Sequence, residues 1–316
     1  MTKPILVPLD GSALAERALP FAAALARVLD APLLLVRAVV VPEDLGYDPA
    51  RRQLEAVDDA EAYLRRLAAD LGRQGTAVET VVPYGEAAGA ILDAARASEA
   101  RLIAMTTHGR GGLGNWLAGG VATAVLARAP APVLLVRAWH AGGALDRLER
   151  GARIVVPLDG SALAEAALPL ATRLAGALGG ELLLVRAVPP PGPALTPDGL
   201  RALVAGDEEV AAETAEARAY LAAVAGRLAA RDYAVGREVR LGAPAVVIDA
   251  VCRERGAALV VLATHGRTGL DRLLLGSVAE AVVRHGSAPV VLVRPARHAA
   301  GPGTTGGTAA ASPGRA

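Results

Sequence analysis

Two segments of this chain combine glycines, one arginine near the start and a helix start in the manner of a phosphate-binding loop. They read THGRGGLGNWLAGGV over residues 107–121 and THGRTGLDRLLLGSV over residues 264–278. The glycines Gly109, Gly112 and Gly119 recur as Gly266, Gly269 and Gly276. Glycine lets backbone N–H groups approach a ligand closely. A helix N-terminus adds free N–H donors and the positive end of a dipole. Ser277 supplies a hydroxyl donor where the first segment has Gly120, and Val278 and Val121 follow. This is not the lysine-bearing phosphate loop of nucleoside triphosphatases. The one lysine is Lys3, so Arg110 and Arg267 are the available cations. The same glycines also suit a plain strand-to-helix connection, and that reading stays open. His108 and His265, beside Thr107 and Thr264, invite a catalytic reading, but the motif places no carboxylate or nucleophile to work with them. Turn hydrogen bonding accounts for them better. No second His or Cys lies at metal-ligand spacing.

A second constellation explains why there are two such loops. VPLDGSALAE occurs at 7–16 and again at 156–165, an offset of 149; LLLVRAV occurs at 33–39 and 182–188, the same offset. THGR and the phrase APVLLVR/APVVLVR (131–137 and 288–294) recur at an offset of 157. The order is the same in both halves, so the chain is a tandem duplication. The domains run over 1–138 and 152–295, with residues 139–151 as linker and 296–316 as a Gly/Thr/Ala/Pro-rich tail whose composition predicts disorder. The eight extra residues of the second half fall at the Pro-rich stretch 189–199, read as a longer loop. Asp10 and Asp159 sit in the longest repeated phrase. Either could cap the turn before a helix; their pairing with the glycine loops favours contact with a ligand.

The elements that must position these residues follow from periodicity. Each half alternates short apolar runs with amphipathic stretches. In the first half, strands are predicted at 5–9, 33–40, 77–83, 101–107 and 133–137, and helices at 13–29, 51–73, 86–98 and 119–128. The second half has strands near 154–158, 181–187, 234–241, 258–264 and 290–294. Strands this continuously apolar are covered on both faces, which implies a parallel sheet with helices on each side. The Asp10 and Asp159 phrases then end strand 1, and THGR ends strand 4. In an open sheet of order 3-2-1-4-5 those ends flank the crevice where ligands bind.

Composition narrows the partners. The 316 residues carry a formal net charge of +1 with no stripe of Lys and Arg, which argues against nucleic acid. The single cysteine, Cys252, reads as a small buried hydrophobe in a helix. One cysteine, and no apolar run of signal-peptide length before Asp10, suit a reducing cytoplasm. Residues 111–127 carry no charge, but five glycines and a length of 17 make them poor membrane material. Trp116 and Trp139 read as packing residues. The charges on 51–73 and 207–231 read as solvated helix faces.

At the repeated aspartate and glycine-loop motifs the sequence resembles the universal stress protein family in its tandem two-domain form. The resemblance covers nearly everything but the tail. It implies two α/β domains, each a five-stranded parallel sheet of order 3-2-1-4-5 with helices on both faces. It also implies binding of ATP or AMP through the motif G-x2-G-x9-G-[ST], with Mg2+ an option alongside ATP. Gly266, Gly276 and Ser277 match, with Ala263 at the first glycine; Gly109 and Gly119 match in the first half, with Thr106 at the first glycine and Gly120 at the hydroxyl. The family's aspartate facing the adenosine maps to Asp10 and Asp159, and its backbone contact to adenine maps near Val39 and Val188. The first site is expected to be the weaker. The resemblance further implies that the two domains pair through their fifth strands as a pseudo-dimer within the chain; a homodimer of chains stays open.

Three function classes remain at this level. One is a nucleotide-binding sensor or regulator with a protein partner still to be identified. The second is a slow ATP hydrolase, which the motif does not equip with a general base. The third is a nucleotide-free interaction module, to which the losses at Thr106 and Ala263 lend support.

Overall fold

In a computed structural model of the chain, the described residues are 2–40, 49–107, 120–137, 145–148, 151–190, 199–264 and 275–295. The loop residues His108, Gly109, Arg110, Gly112 and Gly119 of the first half lie outside them, as do His265, Gly266, Arg267 and Gly269 of the second, Trp116, Trp139 and the tail.

The first half contains β1 (Ile5–Pro8), α1 (Ala13–Glu16), α2 (Leu19–Val28), β2 (Leu33–Val36), α3 (Pro49–Arg73), β3 (Val78–Val81), α4 (Ala87–Ala97), β4 (Leu102–Thr106), α5 (Val121–Arg128) and β5 (Val133–Val136). A short 3-10 turn, Asp146–Leu148, lies in the linker. The second half contains β6 (Arg153–Pro157), α6 (Ala162–Glu165), α7 (Leu168–Leu178), β7 (Glu181–Val188), α8 (Gly199–Ala229), β8 (Val235–Leu241), α9 (Pro244–Arg255), β9 (Leu259–Ala263), α10 (Ser277–His285) and β10 (Val290–Val293).

Within each half the strands are parallel, in the order β3-β2-β1-β4-β5 and its mirror β10-β9-β6-β7-β8. The two halves join into one ten-stranded sheet because β5 and β10 pair antiparallel, with Leu134 opposite Val291. That pairing removes two open edges, each of which would expose a row of unpaired backbone groups. An antiparallel junction between like edges relates the halves by an approximate two-fold axis.

The central strands are buried on both faces, as their unbroken apolar sequence requires: β1, β2 and β5 are buried throughout. One core layer packs Phe21 of α2, Leu64 of α3, Leu174 of α7 and Leu221 of α8 against one face. The other packs Leu92, Val125, Val251 and Val283 from α4, α5, α9 and α10. Leu148 of the linker belongs to the first layer, so the linker is anchored in the core as well as connecting the halves. Cys252 is buried in the second layer, where desolvation pushes its thiol up to about 12.

Two expectations change. The helix predicted over 13–29 is two helices, because Pro20 falls in the first turn of α2. Its ring cannot follow an unbroken helix without clashing with the Glu16 carbonyl, and it has no N–H to donate. Pro169 breaks the second copy identically. The extra residues of the second half are not only a longer loop. Helix α8 has 31 residues against 25 in α3, and it begins at Gly199.

Two arginines cross the junction. Arg137, at the end of β5, donates from Nη1 to the Gly286 carbonyl at the C-terminus of α10, at 2.6 Å. Arg294, at the end of β10, donates to the Ala127 carbonyl in the last turn of α5, also at 2.6 Å. Each domain thus supplies a cation to the negative end of the other domain's last helix, where the helix dipole favours it. Arg137 is only 5% exposed. Burial pulls its guanidinium down to about 10, opposed by the charge of Asp249.

Candidate functional site

The repeated phrase folds into a turn in both halves. Gly11 has φ +84° and Gly160 φ +92°, backbone that a side chain rarely adopts. The turn lets Asp159 Oδ1 accept from both the N–H (2.9 Å) and the hydroxyl (2.6 Å) of Ser161. Asp10 does the same with Ser12 at 2.9 and 2.5 Å. Each serine in turn caps its helix, accepting from Ala15 or Ala164 at 3.1 Å. The turn-capping role of the aspartates is therefore present. Burial raises the Asp159 carboxyl, but the two Ser161 hydrogen bonds and the nearby Arg186 charge outweigh it, holding the group below the usual aspartate value.

Asp159 also lines a pocket. The pocket holds about 200 Å³ and opens at the carboxyl ends of β6 and β9, which are neighbours in the sheet. This is where the strand order of the second half reverses, the place where open α/β sheets bind ligands. Leu158 and Asp159 come from the end of β6, Val185 and Ala187 from β7, and Leu262 and Ala263 from β9. Pro244 and Ile248 of α9 and Leu163 of α6 add apolar wall, and Gly276, Ser277, Val278 and Ala279 bring the first turn of α10 to the rim. Among the described residues the wall is mostly aliphatic, with Asp159, Ser161 and Ser277 as its polar side chains. Ser277 is exposed, and its hydroxyl has no hydrogen-bond partner among the described residues.

The remaining expected positions are placed as follows. Thr264 is buried and gives its N–H to Val293 at 2.9 Å, and Thr107 likewise to Val136 at 3.1 Å. Val188 is buried beside the pocket rather than in its wall, and its carbonyl accepts from Gly242 at 2.9 Å. In the first half, Val39 donates to Pro83 and accepts from Gly85, both at 3.0 Å. Gly120 caps α5 and is exposed, with Val121 beside it. Among the described residues no group of His, Cys, Asp or Glu could hold a metal ion, and no helix is long and apolar enough to cross a membrane.

Sequence reasoning missed what holds the aspartate turn. Arg186, from the repeated phrase LLLVRAV, lies beneath Gly160; a Cβ there would sit 3.4 Å from its Nη1. Its guanidinium is 5.4 Å from the centre of the Tyr220 ring on α8 and pairs with Glu216 at 3.7 Å. The Tyr220 hydroxyl donates to Glu165 at 3.0 Å, and Arg227 pairs with the same carboxylate at 2.7 Å. Desolvation and the Glu165 hydrogen bond push the Tyr220 phenol up, so it stays protonated as the donor. The first half repeats the brace with Arg37 over Tyr63 (4.9 Å), Tyr63 on Glu16 (3.0 Å) and Arg66 near Glu16 (3.5 Å). The signal was available: Glu16/Glu165 and Arg37/Arg186 belong to the repeated phrases, and Tyr63 and Tyr220 share the 157-residue offset. The aliphatic walls had no such signal, because Ile248 and Leu262 read as ordinary core residues.

Comparison with known proteins agrees with this architecture. A model of the universal stress protein family matches residues 1–137 and 152–294. The chain is 28% identical over 312 residues to a universal stress protein of Mycolicibacterium smegmatis, covering 92% of this chain and 97% of that protein. It is 38% identical over 142 residues to a universal stress protein of Thermus aquaticus, covering 43% of this chain and 100% of that protein. The crystal structure of a universal stress protein from Archaeoglobus fulgidus superposes with a TM-score of 0.69 at 22% identity, covering 92% and 96% of the two chains. At that identity the likeness speaks to the fold.

Proposed function

The chain belongs to the universal stress protein family in both halves, and we propose that its second domain binds an adenine nucleotide, ATP or AMP, as a sensor or regulator. The observation that carries this reading is the pocket at the ends of β6 and β9. Its aliphatic wall suits a flat, weakly polar base, and the charge at its edge is the Asp159 carboxylate, an acceptor suited to ribose hydroxyls. The first turn of α10, with the Ser277 hydroxyl, faces the same space and offers N–H donors and a positive dipole end to phosphate oxygens. Base, sugar and phosphate would thus each meet a matching chemistry in one concave site. Mg2+ would enter with ATP, on its phosphates.

The first domain is proposed as the weaker site, since Gly120 replaces the hydroxyl of Ser277. Nucleotide occupancy would then alter which protein partner the second domain accepts. The test is to purify the protein gently, denature it and identify released nucleotide by mass spectrometry, for wild type and Ser277→Ala/Gly276→Val. Gly276 has φ −61°, backbone that valine adopts, and it lines the pocket. About one ATP or AMP per chain, lost in the double variant, supports the reading. No nucleotide bound and none taken up on titration refutes it and leaves the interaction-module reading. ADP released over many turnovers would favour a hydrolase.

A further inference from the structure

Helix α10 has two ends with different owners. Its N-terminal turn, Gly276 to Ala279, lines the pocket of its own domain. Its C-terminal turn meets two anchors. Asp249 of α9, in the same domain, accepts from the Ser287 N–H at 2.8 Å. Arg137, from the other domain, donates to the Gly286 carbonyl at 2.6 Å. The helix has nine residues, so about 13 Å separates the two ends. A short rigid rod held at one end by a buried cation transmits any displacement of that end to the other.

We propose that Arg137 of the first domain is a positioning residue for the second domain's pocket, aligning the α10 N-terminus by holding its C-terminus across the domain junction. This rests on the nucleotide reading above. The arrangement is reciprocal: Arg294 holds the last turn of α5, whose N-terminus follows Gly120. The last helix of each domain is thus held at its C-terminal end by an arginine that the other domain supplies. A family of single domains would need a second chain to obtain the same contact; the tandem chain carries it internally.

The experiment uses the full chain and titrates MgATP calorimetrically into wild type, Arg137→Met, Arg137→Gln, Arg137→Lys and Arg294→Met. Arg137→Met should weaken the tighter site by about fivefold or more, the lower end of coupling between distinct sites. Arg137→Lys, which keeps a cationic donor, should recover part of the loss. Arg294→Met, which removes the mirror contact at the same junction, should leave the tighter site within about twofold. In the free proteins, backbone amide exchange at Glu280, whose N–H is bonded to the Gly276 carbonyl at 2.9 Å, should quicken in Arg137→Met, and that at Ala124, bonded to the Gly120 carbonyl at 3.1 Å, should stay unchanged. Should the methionine variant fail to fold, Arg137→Gln carries the same comparisons. Arg137→Met binding like wild type overturns the proposal, and so does equal weakening by Arg137→Met and Arg294→Met, which would mean a general loosening of the junction. Wild type that binds no MgATP or AMP sinks the nucleotide reading, and this inference with it.

Discussion

Ser277→Gly isolates one hydroxyl at the pocket rim. In the free protein that hydroxyl is exposed and has no hydrogen-bond partner among the described residues, so its removal breaks no observed contact. The residue sits in the first turn of α10, where a helix end is least sensitive to glycine. If the hydroxyl donates to a phosphate, the lost bond is worth about 1.5–3 kcal/mol. At about 1.4 kcal/mol per tenfold, nucleotide affinity at this site should fall by about 10- to 100-fold. The melting temperature without ligand should change little. The reverse swap is sterically open. Gly120 has φ 164°, extended backbone that any residue adopts, and among the described residues nothing lies within 4 Å of where its Cβ would stand. Gly120→Ser should therefore tighten the first site. Calorimetric titration with ATP and AMP, paired with thermal melts, reads both swaps. A change in affinity below about threefold in Ser277→Gly would refute the reasoning. So would a loss of affinity matched by an equal loss of ligand-free stability.

Gly11→Ala should destabilise the fold by more than about 1 kcal/mol, since it combines φ +84° with an approach of 3.2 Å to Arg37 Nη2. Gly151→Ala, at φ +87° with nothing within 4 Å among the described residues, should cost less; equal urea midpoints would remove Arg37 from the account. Tyr220→Phe should cost about 1.5–3 kcal/mol, the value of a hydrogen bond to a carboxylate, while Tyr233→Phe serves as a control for ring chemistry elsewhere. The Asp159 carboxyl lies below its usual value in the folded protein, so its contribution to stability is present above the unfolded pKa, about 4, and is lost as pH falls through the folded one. The melting-temperature gap between wild type and Asp159→Asn should accordingly shrink on acidification below about pH 4; a gap constant with pH contradicts the assignment.

Much of the fold was legible before any coordinates. The internal duplication, the alternation of buried strands with amphipathic helices, the end-of-strand placement of Asp159 and the helix-start placement of Ser277 all follow from local pattern. Runs such as LLLV can be satisfied only by cover on both faces, and a ten-residue phrase recurring unchanged marks a shared constraint. Local pattern also carried the means to break the first helix, since Pro20 and Pro169 both lie in it, but apolar spacing continued across the break and hid it.

What the tertiary structure alone decided are contacts between segments far apart in the chain. Arg186, Tyr220 and Glu165 are 21 to 55 residues apart, and no period links them. They meet because β7 places Arg186 beneath Gly160 while α8 crosses the same end of the sheet. The pocket wall is decided in the same way. Ile248 and Leu262 have the sequence signature of core, and only the reversal of strand order between β6 and β9 leaves space beside them. The arginines of the repeated APVLLVR and APVVLVR phrases are the clearest case. As sequence they are strand-end cations; the antiparallel pairing of β5 with β10 carries each to a helix end in the other domain. Burial and periodicity are properties of a segment, so sequence determines them. A charge's partner is a property of the assembled sheet, so only the fold could assign it.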